Sequence, residues 1–133
     1  MSVTLREKIK KIRVRGERIG AACCGYVRLT KKYSLKLYYK EKDRDRCFFR
    51  QSIAYNLGFG PKNLFKVKKS RLFGYVTEHA NTMDTLTDEQ FEKLTDQIEM
   101  VGWSIGDLEP NVNVGLIGNK PVLIDYDDCT LAY

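Results

Sequence analysis

The sequence predicts an α+β domain, and three observations predict it. Strand-like stretches rich in Val, Ile, Leu and Tyr alternate with segments of helical periodicity, in the order three strands, helix, two strands, helix, hairpin. Thr87-Asp88-Glu89-Gln90 is a capping box, with Thr87 as N-cap and Gln90 three residues on, and it marks a helix start. Gly118-Asn119 lies between residues 112–117 and 122–124 and is a two-residue hairpin signal. A chain of 133 residues is one domain by length and buries about two-thirds of its unfolded surface.

Residues 13–19 read as a strand, followed by a small-residue turn from Gly20 to Gly25. Residues 26–29 and 33–39 form a hairpin around Thr30-Lys31-Lys32. Residues 42–57 have helical character: Phe49, Ile53 and Leu57 make an apolar stripe, and Asp43 and Asp45 suit the start of the helix dipole. Gly58-Phe59-Gly60-Pro61 ends that helix. Residues 64–67 and 72–77 form a second strand pair around the polar turn 68–71, and residues 78–85 are a polar connector. The helix opened by Thr87 places Phe91, Leu94, Ile98 and Val101 on one face and ends near Trp103, which is expected in the core.

Composition narrows the function classes. No stretch approaches the ~18 apolar residues of a membrane span, and residues 1–18 are basic and amphipathic without a signal-peptide core. Cys23, Cys24, Cys47 and Cys129 lack CxxC spacing, and one histidine makes a zinc site a poor fit. Reduced thiols in a cytoplasmic protein are the expectation. Cys23 and Cys24 read as small turn residues. The net charge of +6 conceals an asymmetry: residues 1–72 carry 21 Lys/Arg against 5 Asp/Glu, and residues 73–133 carry 2 against 12. The basic half admits nucleic-acid binding through phosphates, and equally admits attraction to the acidic half of the same or a neighbouring copy.

Residues 106–128 concentrate hard oxygen donors: Asp107, the amides Asn111 and Asn113, then Asp125, Asp127 and Asp128. The hairpin at Gly118-Asn119 folds Asp125 back toward Asn113 and Asp107. Oxygen donors in small number suit Mg²⁺ held jointly with nucleotide phosphates. The alternative is a surface hairpin with polar loops.

Four motifs in order resemble the kinase-like phosphotransferases, over about residues 12–128. Gly20-x-Ala22-x-x-Gly25-x-Val27 resembles the glycine-rich loop, with Ala22 in place of the middle glycine. Tyr33-Ser34-Leu35-Lys36 resembles the strand ending in the phosphate-binding lysine. Asp107-Leu108-Glu109-Pro110-Asn111 resembles the catalytic loop, and Ile124-Asp125-Tyr126 the metal-binding aspartate. Gly106 before Asp107 and the run Asp125-Tyr126-Asp127-Asp128 are more similar to aminoglycoside-type phosphotransferases than to eukaryotic protein kinases.

The resemblance implies a kinase-like fold: an antiparallel N-lobe sheet with one helix over about residues 12–78, then a strongly reduced C-lobe of one helix and a hairpin over 79–133. It implies ATP and Mg²⁺ as cofactors, with Gly20, Ala22, Gly25, Val27 and Lys36 around the nucleotide. Glu78 and Ala80, in the hinge Thr77-Glu78-His79-Ala80, would meet adenine through their backbone. Lys36 and Asp107 would be the catalytic residues, and Asp125 with Asn113 the metal ligands. Such a site needs little more than positioning and charge neutralisation for phosphoryl transfer.

The chain departs from the family in four places. Ile105 stands where the family has His. Val112 falls where its asparagine is expected, between Asn111 and Asn113, and Asn113 is the better match for entering the hairpin. No Glu occurs between Lys42 and Thr77 to pair with Lys36, so Gln51 is the nearest substitute. Tyr133 follows Asp125 by eight residues, so no substrate platform is expected. Some bacterial effector kinases are similarly stripped, and a phage or effector origin suits this brevity. An inactive kinase-like module (a pseudokinase) that binds a protein partner is therefore a second expectation. Self-association or partner binding is expected through the helix at 88–103 and the tail 129–133, and a basic nucleic-acid-binding protein is a third expectation.

Overall fold

The structure, a computed structural model, describes residues 4–12, 23–105, 108, 113–126 and 129–130. The chain divides into two units, Met1–Phe48 with Asn63–His79, and Phe49–Lys62 with Ala80–Tyr133. The first contains α1 (Leu5–Lys11), β1 (Cys23–Arg28), β2 (Tyr33–Tyr38), β3 (Asn63–Lys69), β4 (Leu72–Glu78) and the beginning of α2 (Glu41–Leu57). The second contains the rest of α2, α3 (Asp88–Met100), β5 (Ser104–Ile105), β6 (Val114–Ile117), β7 (Lys120–Leu123) and β8 (Cys129–Thr130).

In the first unit the strands form one antiparallel sheet in the order β1-β2-β4-β3. The β1–β2 hairpin turns at Thr30-Lys31-Lys32 as the sequence predicts, with Arg28 opposite Ser34. Thr30 Oγ1 closes that turn by accepting from the N–H groups of Lys32 and Tyr33 at 3.1 and 3.0 Å. The expected small-residue turn is corrected in part. Cys23–Gly25 already belong to β1, because Cys23 and Gly25 pair with Tyr38 and Leu37 with an irregularity between them. A strand whose partner runs through Tyr38 keeps its ladder bonds as far as that partner extends. The expected strand at 13–19 lies outside the described residues.

Every residue of β2 from Ser34 to Tyr38 is buried, so both faces of the sheet are covered. On one face Leu35, Leu37 and Val76 pack with Ile9 of α1. That helix is absent from the sequence expectation. Its signals are Thr4, whose Oγ1 accepts from Glu7 N at 3.2 Å, and the spacing of Leu5, Ile9 and Ile12. Lys69 Nζ closes its far end by donating to Ile9 O at 2.6 Å and Lys10 O at 3.1 Å. Over the other face lies the start of α2. Arg44 Nη1 donates to Val67 O at 3.0 Å and Gly74 O at 3.3 Å, and Phe48 meets Tyr75 edge-on with centroids 5.2 Å apart.

The helix α2 covers the expected segment but buries a different face. Arg44, Cys47, Gln51 and Ala54 are buried, whereas Phe49 and Leu57 of the expected stripe are 57% and 46% exposed. The buried polar residues are tolerated because backbone carbonyls receive them, Pro61 O taking Gln51 Nε2 at 2.9 Å. Gly58, at φ 93°, ends the helix in the left-handed region, as its position after Leu57 predicts.

In the second unit the capping box is complete. Gln90 N donates to Thr87 Oγ1 at 3.1 Å and Thr87 N to Gln90 Oε1 at 2.9 Å. Leu94 and Ile98 are buried, and Trp103 packs edge-on against Phe59 at 5.2 Å. The β6–β7 hairpin turns at Gly118-Asn119, with Gly118 at φ 61° and Ile117 opposite Lys120. It is tied to its surroundings by Leu123 N donating to Phe59 O at 2.8 Å and by the bridge between Asn81 and Leu116.

Gly74 tests how tightly the sheet is closed. A Cβ there would lie 2.5 Å from Lys36 O and 2.9 Å from Leu37 Cδ2, deeper than side-chain adjustment can relieve. Gly74→Ala is expected to destabilise the fold by about 1–3 kcal/mol. Urea denaturation would register this as a lower midpoint, and an unchanged midpoint would contradict the packing described.

Candidate functional site

Lys36 is the inner-strand residue with the most demanding surroundings. It is only 6% exposed, on a strand bonded on both sides, with Tyr26 of β1 opposite it on one side and Tyr75 of β4 on the other. Its Nζ lies 5.6 Å from the Tyr75 ring centroid, and Tyr75 is in turn stacked on Tyr38 with centroids 6.0 Å apart. Strand alternation and register place Tyr26, Ser34, Lys36, Tyr38, Tyr75 and Thr77 on one face. The ammonium of Lys36 thus lies against an aromatic floor built from β4 and β2.

The same register separates two residues that the sequence grouped. Val27 stands opposite Leu35, on the face that receives α1, and Gly25 stands opposite Leu37. Tyr26, rather than Val27, is the β1 residue on the Lys36 face. Gly20 and Ala22 lie outside the described residues.

At the end of this face His79 gathers a small polar cluster. Its Nδ1 lies 2.7 Å from Ser34 Oγ, and its ring stacks on Tyr26 with centroids 6.2 Å apart and planes 22° apart. Its backbone N–H donates to Lys32 O at 2.6 Å, which anchors the segment after β4 to the β1–β2 turn. Burial, and then repulsion from Arg28, holds the His79 imidazole below its ordinary pKa. Glu78 is the last residue of β4, opposite Tyr33 and half-buried. Ala80, in the second unit, is fully buried with Val122 and Ile124.

The acidic hairpin places its own residues as a separate group. Asn113 O accepts from Ile124 N at 2.8 Å, so Asn113 and Asp125 stand at the same end of the β6–β7 hairpin, as expected. Asp125 is exposed between two buried residues, Ile124 and Tyr126. Tyr126 is held from both ends: its OH donates to Leu123 O at 2.7 Å, and its carbonyl accepts from Arg50 Nη1 at 2.8 Å. The backbone on both sides of the carboxylate is therefore fixed while the carboxylate faces outward. Asp107, Asn111, Asp127 and Asp128 lie outside the described residues.

Among the described residues no group of three His, Cys, Asp or Glu side chains gathers as a metal site. Mg²⁺ does not need one, because it binds through one or two carboxylates with phosphate and water completing its shell. Within the second unit, one exposed carboxylate, Asp125, and one amide residue at the same hairpin end, Asn113, are oxygen donors of the type Mg²⁺ takes.

The Tyr26–His79 pair was absent from the sequence expectation, although its signal was present. Counting outward from the turn at residues 30–32 sets Tyr26 opposite Lys36. No helix among the described residues is long and apolar enough to cross a membrane.

No protein-family model matches the chain, and no curated protein matches it. Among solved structures it is similar to WbdD, described as a bifunctional kinase–methyltransferase, at a TM-score of 0.48 and 16% identity over 77% of this chain and 29% of that one. A second crystal structure of WbdD gives a TM-score of 0.46 at 17% identity over 77% and 29% of the two chains. WbdD with the kinase inhibitor LY294002 gives 0.46 at 17% identity over 75% and 29%. The chain thus spans less than a third of the length of the WbdD chains.

The depressed His79 pKa predicts a pH dependence of stability. The folded state favours neutral imidazole, so the unfolded chain takes up the proton first as pH falls. This contribution is complete above the ordinary histidine pKa of about 6.5 and is lost as pH drops below it. The urea midpoint should fall between pH 7.5 and 5.5, and should fall less in His79→Gln. An equal fall in both proteins would rule out the His79 contribution.

Proposed function

We propose that this chain is a minimal kinase-like domain that binds ATP–Mg²⁺ and passes a phosphoryl group to a hydroxyl acceptor. The observation that carries this reading is Lys36, a buried lysine held at the centre of a sheet face on a strand bonded on both sides. Its place one hairpin after the glycine-rich run supports a role in neutralising nucleotide phosphates. When bound, ATP–Mg²⁺ supplies the transferable phosphoryl group. In this reading Asp125 gives one oxygen ligand to the metal, Asn113 assists it, and Asp107 orients the acceptor hydroxyl. Tyr26 and His79 flank the Lys36 face with two aromatic rings and would stack against the purine, while the backbone at Glu78 and Ala80 meets its edge.

A second reading, nucleotide binding without transfer in a module that serves a protein partner, is favoured by Gln51. In this reading that residue stands in for the missing carboxylate without its charge, and its Nε2 donates to Pro61 O. The outer side of α3, with Met100 exposed, and the tail 129–133 would carry the partner contact.

Thermal unfolding with and without ATP–Mg²⁺ tests binding. At ~100 times Kd the ligand should stabilise the fold by about 2.7 kcal/mol, a rise of several degrees in Tm. Lys36→Met should lose most of the rise, and Asp125→Ala the part that depends on Mg²⁺. No rise at millimolar ATP–Mg²⁺ would refute nucleotide binding. Transfer is tested by phosphate release or self-labelling, which Asp107→Asn should abolish; activity surviving that change would remove Asp107 from the mechanism.

The aromatic flank has its own test. Tyr26→Ala should weaken ATP–Mg²⁺ about tenfold, a stacking-sized loss, and leave tripolyphosphate–Mg²⁺ unchanged. Equal weakening of both ligands would contradict base stacking.

A further inference from the structure

Residues 46–77 contain seven Lys/Arg and no Asp or Glu. The fold gathers part of this charge with the basic end of α1. Lys69 Nζ, 2.6 Å from Ile9 O and 3.1 Å from Lys10 O, binds the end of α1 to the β3–β4 turn. Lys10 and Lys11 on one side of this junction, and Lys68 and Arg71 on the other, are all exposed. Arg44–Asp45, Arg46–Asp43 and Lys66–Asp45 are ion pairs of the same unit, and none of them includes a cation of this junction. Lys68 Nζ instead rests 5.5 Å from the Phe73 ring centroid. Glu7, the acidic residue of α1, precedes Lys10 and Lys11 by three and four residues and so neighbours them on the helix surface, yet none of the three ion pairs above includes it.

Five like charges held at one junction repel one another, and a polyanion relieves that repulsion. The chemistry of the patch selects among polyanions. Exposed large apolar side chains among the described residues are Tyr26, Tyr39, Phe49, Tyr55, Leu57, Met83 and Met100, and none lies on α1 or on the β3–β4 turn. The patch therefore lacks the apolar centre of a protein interface and the apolar face that an interfacial helix inserts into lipid. We infer that the junction of α1 with the β3–β4 turn, formed by Lys10, Lys11, Lys68, Lys69 and Arg71, is a nucleic-acid-binding surface that grips the phosphate backbone. Phosphate contacts of this kind carry no base specificity, so binding is independent of sequence and sensitive to salt. This surface is independent of the nucleotide reading.

Fluorescence anisotropy with a labelled single strand of mixed sequence, ~20 nucleotides long, tests the inference. About four phosphate contacts give a slope of log K against log salt near roughly −3, a weakening of about fifty-fold between 50 and 200 mM salt. The double variant Lys68→Glu/Arg71→Glu changes two exposed residues and should weaken binding at least ~tenfold. Its Tm should stay near that of the wild type. Lys93→Glu/Lys120→Glu, at exposed positions of the second unit, should leave binding unchanged. Absence of binding at 50 mM salt, or equal loss in both double variants, would overturn the surface. So would tighter binding to phosphatidylserine vesicles than to the strand. Salt-sensitive self-association that disappears in Lys68→Glu/Arg71→Glu would assign the patch to a second copy instead.

Discussion

The first unit depends on the enclosure of one strand. β2 is hydrogen-bonded to β1 and β4 and buried on both faces from Ser34 to Tyr38, so its side chains meet two environments. Leu35 and Leu37 require apolar cover, and α1 supplies it through Ile9. Ser34, Lys36 and Tyr38 require polar or aromatic company, and Tyr75, Thr77 and His79 surround that side. An ammonium group leaves water at a cost of several kcal/mol, and the Tyr75 ring offsets part of that cost for Lys36. Enclosure on both faces of the sheet limits the conformations open to this side chain, in contrast to a surface lysine.

The second unit solves a complementary problem. The Asp125 side chain is exposed while the backbone that carries it is anchored. Ile124 and Tyr126 provide this by being buried on either side of Asp125, with Tyr126 bonded through its hydroxyl and its carbonyl. The hairpin behind it is closed by Gly118, whose positive φ permits the two-residue turn. An anchored backbone thus carries a charged side chain in both units, a buried cation in one and an exposed carboxylate in the other.

Local chemistry made much of this legible in the sequence. The capping box, the turns at residues 30–32 and 118–119, and the glycine after Leu57 act over a few residues and fold as read. The buried face of α2 was illegible to hydrophobic periodicity, because Arg44 and Gln51 are buried by hydrogen bonds to Val67 O, Gly74 O and Pro61 O. Those carbonyls come from distant strands and loops, so no pattern within the helix announces them. The short helix α1 was hidden for a related reason. Its three apolar residues sit among lysines and form a core only with the sheet they cover. On the candidate face, Lys36 drew attention in the sequence by its place after the glycine run, whereas its burial and the placing of Tyr26 rather than Val27 beside it needed the strand register.

The central claim is that buried Lys36 anchors nucleotide phosphates, and phosphorus NMR of ATP–Mg²⁺ tests it most directly. Added wild-type protein should shift and broaden the α- and β-phosphorus resonances, and folded Lys36→Met should leave them as in free ATP–Mg²⁺. Unchanged resonances with the wild type, or the same perturbation by Lys36→Met, would contradict the account.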